Sequence, residues 1–436
     1  MIRKLLSNQL LINMLSGVAA NTINCIVLLA AYPIYLHFLG YEEYGVWLVL
    51  ATVLSFAQLG DIGISQAVVK LVAEEYGQRN FKRIEQYVAT ALLILVASGV
   101  AMLMIIVPLR RQIVDLFRLS GENAQLAIWL LPFVACLSVY ALIVQTIRAT
   151  LSGLGRMDLV HWMHSAARIL AVAIATTLLY TGHGIESLLI GNFFSYVAMH
   201  IIALIWFRRI ALLSLLRIAD ANWQRSKRLI AFGSAVFGRS LINMLLSPFN
   251  KLMLSRYAGV SSVPIYEIAY NGSMQVRRLI EAGLRALMPE ISRISGNVRE
   301  RTAQRIAHIY SRAMRVVVLA GAPVYAMAIL LATPFLRYWL KQKYLSELPF
   351  VLRMMLLATF ISLLGVPAYN TLLGAGQVRH ILAAHAIVAG VNAIIVLAMV
   401  FVCHSVSVEK ISWAILIAST AATQYLRRQN SRMSII

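Results

Sequence analysis

Long apolar runs separated by short polar stretches extend along the whole chain. A helix that crosses a bilayer needs about 20 predominantly apolar residues, and twelve runs reach that length or come close to it. Their predicted limits are 9–36, 44–68, 86–107, 125–151, 162–181, 185–206, 229–255, 264–288, 313–333, 348–373, 380–402 and 409–426. The pattern predicts an all-α polytopic membrane protein with about twelve transmembrane helices.

The composition strengthens this prediction. Hydrophobic residues make up 60% of the chain and charged residues 13%, whereas a soluble domain carries about 25% charged residues. The polar interruptions are also too short to hold an inserted soluble domain. The chain therefore lacks the polar surface of a soluble protein.

The net charge of +22 has an uneven distribution. Most of the Lys and Arg residues outside the predicted spans lie at the two termini and in the even-numbered connections. Because cytoplasmic loops are enriched in these residues, both termini are predicted to be cytoplasmic. Binding of anionic lipid head groups is a second interpretation of the basic loops. The loops are too short to fold a nucleic-acid-binding module, so nucleic acid is not an expected partner.

Two motifs recur at half the length of the chain. Leu39-Gly40 precedes the second predicted span and Ala258-Gly259 the eighth, and LSGLGR (151–156) and LLGAGQ (372–377) each close the fourth predicted span of a half. The pattern favours duplication, with an N-terminal six-helix lobe at 1–207, a cytoplasmic linker at 208–228 and a C-terminal six-helix lobe at 229–436. An even number of spans per half relates the lobes by a pseudo-two-fold axis along the membrane normal. Such repeats commonly hold substrate near the midplane.

The predicted eighth span, 264–288, carries a basic stripe. Arg277 and Arg278 fall near its middle, where an arginine costs about 2.5–3.5 kcal/mol even on mild scales. A charge at that depth must face water, a partner or a substrate. Arg277 and Glu281 are four residues apart, so pairing inside the bundle is the alternative. The polar face of this span comprises Glu267, Asn271, Arg278, Glu281 and Arg285.

The predicted seventh span presents polar residues at every fourth position, Arg239, Asn243, Ser247 and Lys251, and therefore on one helix face. Arginine offers a planar fork that matches phosphate oxygens. For Lys251, snorkelling to the interface is the alternative. The predicted substrate-binding residues of spans seven and eight are Arg239, Arg277, Arg278, Arg285, Lys251, Asn243 and Asn271.

The acidic residues inside the spans are Asp61, Glu267 and Glu281, and they are the candidate coupling residues. For Asp61 the alternative is a hydrogen-bond acceptor at a helix bend. Asn13, Asn21 and Asn24 on the first span fit either a sugar-lined surface or hydrogen bonds between helices. Four basic residues near predicted cytoplasmic helix ends are interpreted as interfacial: Arg148, His161, His164 and Arg168.

Several of these motifs resemble a known family. Phe38-Leu-Gly40-Tyr-Glu-Glu-Tyr44-Gly45, Leu59-Gly60-Asp61-Ile-Gly63 and Gly153-Leu-Gly155-Arg156 resemble the bacterial polysaccharide flippases of O-antigen type (Wzx-like). These belong to the multidrug/oligosaccharidyl-lipid/polysaccharide exporter superfamily. The resemblance covers the whole chain.

The resemblance implies a two-lobed, V-shaped bundle in the bacterial inner membrane. Such a protein moves undecaprenyl-pyrophosphate-linked oligosaccharide from the cytoplasmic to the periplasmic leaflet by alternating access. The resemblance also implies a cationic cavity and a proton or sodium gradient as the energy source, with no cofactor. Other polysaccharide-assembly membrane proteins are implied as further partners. Two features depart from the family: lipid II flippases carry fourteen spans, and the coupling acids do not match position by position.

Two other functions compete with this interpretation. A membrane enzyme of polysaccharide assembly is disfavoured, because the sequence has no phosphate-binding glycine loop, nucleophile motif or metal-ligand spacing. A cation or drug exporter of the same superfamily needs acidic residues facing its cavity, and the spans are mainly basic. We therefore expect a transporter rather than an enzyme.

Overall fold

The computed structural model of the protein describes residues 2–61, 63–209, 223–284, 302–374 and 376–433, and its regular structure within these ranges is entirely helical. The α-helices are α1 (Ile2–Ala57), α2 (Ile64–Gly77), α3 (Phe81–Ile106), α4 (Arg110–Leu116), α5 (Gly121–Gly153), α6 (Met157–Tyr180), α7 (Glu186–Arg209), α8 (Trp223–Ala258), α9 (Ser262–Leu284), α10 (Thr302–Val316), α11 (Ala322–Leu340), α12 (Leu348–Leu364), α13 (Val366–Gly374), α14 (Val378–Phe401) and α15 (Val408–Met433). A π-helical turn, Val317–Gly321, joins α10 to α11.

Eight helical segments of the described chain are long and apolar enough to cross a membrane. They lie in α1, α3, α5, α6, α7, α10–α11, α12–α13 and α14. The prediction of an all-α, multi-pass membrane protein is therefore confirmed. The predicted spans in α8, α9 and α15 are not among the eight, so the number twelve stays a prediction.

The first two predicted spans differ from the observed helices. No loop separates them, because α1 continues through Gly40, whose φ of 68° and ψ of −172° produce a kink. The second predicted span, 44–68, was expected to be continuous, and this was wrong. Helix α1 ends at Ala57, a 3₁₀ turn covers Gln58–Asp61, and α2 begins at Ile64.

A close helix approach explains the break before α2. Gly63 has a φ of 74°, a region that glycine tolerates and other residues avoid. A Cβ at this position would lie 2.4 Å from the carbonyl oxygen of Gly233 in α8. Only glycine lets the two backbones approach so closely.

The described chain divides into two compact units, Met1–Leu241 and Ile242–Ile436, with the boundary inside α8. The first part of α8 belongs to the N-terminal unit, where Arg228 Nη1 donates a hydrogen bond to Tyr87 Oη at 3.2 Å. Lys70 Nζ also lies 4.5 Å from the ring centroid of Phe232. Most of the predicted linker, residues 210–222, lies outside the described residues, so the predicted lobe limits stay a prediction.

Small residues allow close packing in the N-terminal unit. A Cβ on Gly153 at the end of α5 would lie 2.9 Å from the carbonyl oxygen of Val69 in α2. A Cβ on Gly191 in α7 would lie 2.5 Å from the carbonyl oxygen of Ala171 in α6. Helices in a membrane associate through such packing, because lipid provides no hydrophobic force between them.

The repeated motifs have the same local structure. In the N-terminal unit Arg156 N donates to Leu151 O at 3.0 Å, and in the C-terminal unit Gln377 N donates to Leu372 O at 2.8 Å. The second glycine of each motif, Gly155 or Gly376, has a φ of 80° or 75°. The matching hydrogen bonds end the fourth predicted helix of each half in the same way, as the duplication predicts.

Candidate functional site

A buried polar network joins α8, α9 and α14 in the C-terminal unit. Asn392 Nδ2 donates to Asn250 Oδ1 at 2.8 Å, and Asn250 Nδ2 donates to Tyr266 Oη at 3.4 Å. All three side chains are fully buried. None of the three was among the predicted site residues, although an isolated asparagine in an apolar run is a signal for a hydrogen bond between membrane helices.

Next to this network, Lys251 and Glu267 form an ion pair. Lys251 Nζ lies 2.8 Å from Glu267 Oε2, and the two side chains are 11% and 16% exposed. Asn271 Nδ2 donates to the other carboxylate oxygen of Glu267 at 3.0 Å. The alternative of a snorkelling Lys251 is wrong, because its ammonium group is held inside the unit by a carboxylate.

Arg277 lines a cavity of about 280 Å³ in the same unit. Its Nη1 donates to Ser362 Oγ at 2.9 Å, and its Nε lies 3.3 Å from Glu281 Oε2. Both interpretations of Arg277 therefore hold together, since it faces a cavity and pairs with a carboxylate. The other polar residues that line the cavity are Tyr270, Thr359, Ser362, His385 and Ser419.

The remaining predicted substrate-binding residues have different positions. Arg278 is exposed, and within the described ranges it forms no ion pair. Arg285 and the side chains of Arg239 and Asn243 lie outside the described residues. The structure thus brings Lys251, Glu267 and Asn271 together in one group, and places Arg277 with Glu281 in a second.

Asp61 accepts three hydrogen bonds at the break before α2. The donors are Ser65 N at 2.8 Å, Ser65 Oγ at 3.0 Å and Gln145 Nε2 at 3.0 Å. The carboxylate therefore caps the start of α2 and connects it to α5. These contacts match the alternative of a hydrogen-bond acceptor at a helix bend.

Two of the three asparagines of α1 connect this helix to α6. Asn13 Oδ1 accepts from Asp158 N at 3.0 Å, and its Nδ2 donates to Gly155 O at 3.1 Å. Asn24 Nδ2 lies 3.5 Å from His164 Nδ1, and Asn21 is exposed. Asn13 and Asn24 thus make the hydrogen bonds between helices that were one of their two interpretations.

A metal-binding arrangement is not found in the part of the chain that the structure describes. No three His, Cys, Asp or Glu side chains come together there as a metal would require.

Comparison with known proteins identifies the family. The model of the family described as "Polysaccharide biosynthesis protein" matches residues 37–349. The chain belongs to this family. It is 20% identical over 342 residues to a Shigella flexneri protein named "Putative O-antigen transporter", a match that covers 78% of each protein. The resemblance of the sequence to polysaccharide flippases is confirmed.

Solved structures identify the fold. An inward-facing multidrug resistance MATE family transporter of the MOP superfamily has a TM-score of 0.77 at 16% identity, covering 96% of this chain and 98% of its own. The lipid II flippase MurJ, in an inward closed conformation, has a TM-score of 0.74 at 13% identity, covering 98% of this chain and 90% of its own. This member of the polysaccharide biosynthesis family therefore has the fold of these membrane transporters.

Proposed function

We propose that this protein flips an undecaprenyl-pyrophosphate-linked oligosaccharide from the cytoplasmic to the periplasmic leaflet of the bacterial inner membrane. The oligosaccharide is the repeat unit of an O-antigen, capsule or exopolysaccharide, and the mechanism is alternating access without enzymatic chemistry. Both termini are cytoplasmic in this proposal. Its support is the family match and the named relative from Shigella flexneri.

The observation that carries the choice of substrate is the pairing of the deep acidic residues. Glu267 is held by Lys251, and Glu281 by Arg277. Arg278 has no carboxylate partner among the described residues. The described parts of α8 and α9 thus keep a positive surplus, while the two carboxylates of α9 are engaged.

This charge balance favours an anion over an organic cation. At an effective dielectric constant near 20, a charge pair at 4 Å is worth about 4 kcal/mol. A pyrophosphate gains such an interaction from a free arginine, and a guanidinium fork binds two of its oxygens at once. An organic cation would be repelled by the same group. The cation exporter is therefore the weaker proposal.

The energy source in this proposal is a proton or sodium gradient, and no cofactor is required. Of the three candidate coupling acids, Glu267 and Glu281 are engaged by cations. Asp61 has only neutral hydrogen-bond donors around it in the described structure, so its carboxylate is the one best able to exchange an ion.

The experiment that tests this proposal measures surface polysaccharide in cells that depend on this protein. Arg278→Ala or Arg239→Ala should abolish the polysaccharide, with the protein still present in the membrane at normal amount. Arg→Lys at either position should restore it in part, because lysine keeps the charge and loses the two-pronged geometry. Arg111→Ala on α4, an exposed residue, is the control. Full-length polysaccharide in both alanine variants would contradict the proposal.

A further inference from the structure

Four helices meet at one end of the C-terminal unit. Helix α13 packs there against α10, α14 and α15. A small apolar cluster joins them, with Leu372 of α13, Ile381 of α14 and Leu426 of α15 buried in it. Tyr310 of α10 packs against the same cluster. The four helices are therefore held together at this end by packing inside the unit.

The side chains exposed around this cluster include six arginines. Arg379 is the second residue of α14, and Arg427 and Arg428 lie in the last two turns of α15. On α10, Arg312 and Arg315 are three residues apart and share one helix face. We call this group the basic end, and it comprises Arg312, Arg315, Arg379, Arg427, Arg428 and Arg432.

The charge of the basic end is not offset by nearby carboxylates of the described chain. Within the described residues none of its arginines forms an ion pair. Between residues 302 and 433 the sequence holds two acidic residues, Glu347 and Glu409. Glu409 is the second residue of α15, so about 27 Å of helix separates it from Arg427 at 1.5 Å per residue. Glu347 directly precedes α12, at the end that lies away from α13.

The repeated glycine turns differ in charge. Residues 151–158 read LSGLGRMD and residues 372–379 read LLGAGQVR, so Asp158 of the first copy corresponds to Arg379 of the second. Asp158 is neutralised by Arg156 at 2.9 Å inside the first copy. The second copy has Gln377 and Arg379 at these two positions. Because an even number of spans per half predicts the same membrane face for both turns, topology alone does not account for this difference.

The arginines also lie at the ends of membrane spans, where lipid head groups are found. Arg312 and Arg379 are the third and second residues of the apolar spans of α10–α11 and α14. Arg427 directly follows the predicted twelfth span, 409–426. An arginine within one turn of a span end can bring its guanidinium group to the head-group level. Val378, next to Arg379, is exposed as a lipid-facing side chain would be.

We infer that the basic end binds acidic phospholipids of the leaflet that it faces, through their head-group phosphates. In the predicted topology this is the cytoplasmic leaflet. Basic residues beside a membrane span are attracted to anionic lipids, and the charges of the basic end come from three helices at one membrane level. This arrangement suits several head groups of a leaflet. The inference does not depend on which substrate the protein transports.

Lipid binding to the purified full-length protein in neutral detergent tests this surface. Native mass spectrometry measures the affinity for phosphatidylglycerol and for zwitterionic phosphatidylcholine. Each arginine near an anionic lipid contributes about fivefold in affinity. The double variant Arg379→Gln with Arg428→Gln should therefore lose about 25-fold for phosphatidylglycerol and keep the wild-type affinity for phosphatidylcholine. The loss should shrink at high salt, because these charges are exposed.

Three further variants serve as controls. Arg379→Lys with Arg428→Lys should stay within about twofold of the wild type, because the attraction depends on charge rather than on guanidinium geometry. Arg111→Gln with Lys341→Gln removes two exposed charges elsewhere in the chain and should also stay within about twofold. Arg379→Asp introduces the residue of the N-terminal copy and should weaken binding more than Arg379→Gln does.

Unchanged affinity for phosphatidylglycerol in the double glutamine variant would overturn the inference, and so would an equal loss for phosphatidylcholine. Soluble glycerol 3-phosphate should not displace the lipid at equal concentration, and full displacement would assign the surface to soluble phosphates instead. Tighter binding of an acidic peptide such as polyglutamate would assign it to a protein partner and also overturn the inference. If the double glutamine variant does not fold, the single variant Arg379→Asp decides.

Discussion

Lys251 on α8 and Glu267 on α9 form an ion pair of 2.8 Å within the C-terminal unit. The sequence presented both residues as candidates for ligand or ion contact, one as a cation and the other as a carboxylate. Each charge is neutralised by the other, and the two side chains are only 11% and 16% exposed. Neither charge is therefore available to a ligand. The unit therefore uses these two charges to hold helices together.

Breaking this pair on one side should destabilise the protein. Lys251→Met leaves the Glu267 carboxylate largely buried without a cation, a change that costs about 3–5 kcal/mol in comparable pairs. The double variant Lys251→Met with Glu267→Gln should recover most of this loss. Thermal unfolding in detergent measures both effects. Equal melting temperatures for the wild type and Lys251→Met would show that the pair contributes nothing.

The contact between Gly63 and Gly233 predicts a difference between Gly63 and Gly155, two glycines whose φ angles are 74° and 80°. Gly63→Ala places a Cβ 2.4 Å from a carbonyl oxygen, whereas Gly155→Ala meets no atom within 4 Å. Both variants carry the left-handed strain of about 1–2 kcal/mol. Gly63→Ala should lose about 1–3 kcal/mol more, because α2 and α8 must move apart. Similar melting temperatures for the two variants would contradict this packing.

Glu347, which lies between the predicted spans that end at 333 and begin at 348, gives a pH-dependent effect. Burial, together with repulsion from Glu409, raises the pKa of Glu347 above its usual value. The folded protein therefore binds this proton more tightly than the unfolded chain, so the ionised carboxylate reduces stability at neutral pH. Glu347→Gln should raise the melting temperature at pH 7.5.

The gain from Glu347→Gln should shrink as the pH falls and vanish below about pH 4, where the carboxyl is protonated in both states. In a Glu409→Gln background the gain should also be smaller, since one cause of the raised pKa is gone. A gain that is the same at pH 4 and pH 7.5 would rule out the titration of Glu347 as its source.

The distribution of basic residues predicts the topology. Reporter fusions after Gly121, Gly184, Ser261 and Ser407 should report the periplasm, since few Lys or Arg residues lie in the odd-numbered connections. Fusions after Asn80, Asp220 and Asn297 should report the cytoplasm. A cytoplasmic signal at Ser261 would disprove the twelve-span arrangement at its centre.

The sequence predicted those features that depend on local pattern. Apolar length located α3, α5, α6 and α7 to within a few residues of their observed ends. The glycine motifs predicted matching turns in the two halves, because a φ near 80° requires the same residue type in each. The four-residue spacing of Arg277 and Glu281 indicated a pair, which is present.

Features that depend on packing between distant segments could not be predicted. Lys251 and Glu267 lie on different helices, and no spacing within one helix indicates their contact. The break before α2 depends on the approach of Gly233, which is far from Gly63 in the chain. Arg148 was assigned to an interface from its position near a predicted helix end, and the burial of its Nε depends on the helices that pack around it.

Transport by the purified protein in liposomes measures the central claim most directly. The protein should move a fluorescent undecaprenyl-pyrophosphate oligosaccharide across the bilayer, and it should not move a cationic dye under the same gradient. Arg278→Ala should slow the glycolipid by at least tenfold, the loss expected for one charge-assisted contact. Saturable transport of the dye, with no movement of the glycolipid, would contradict the account and identify a cation exporter.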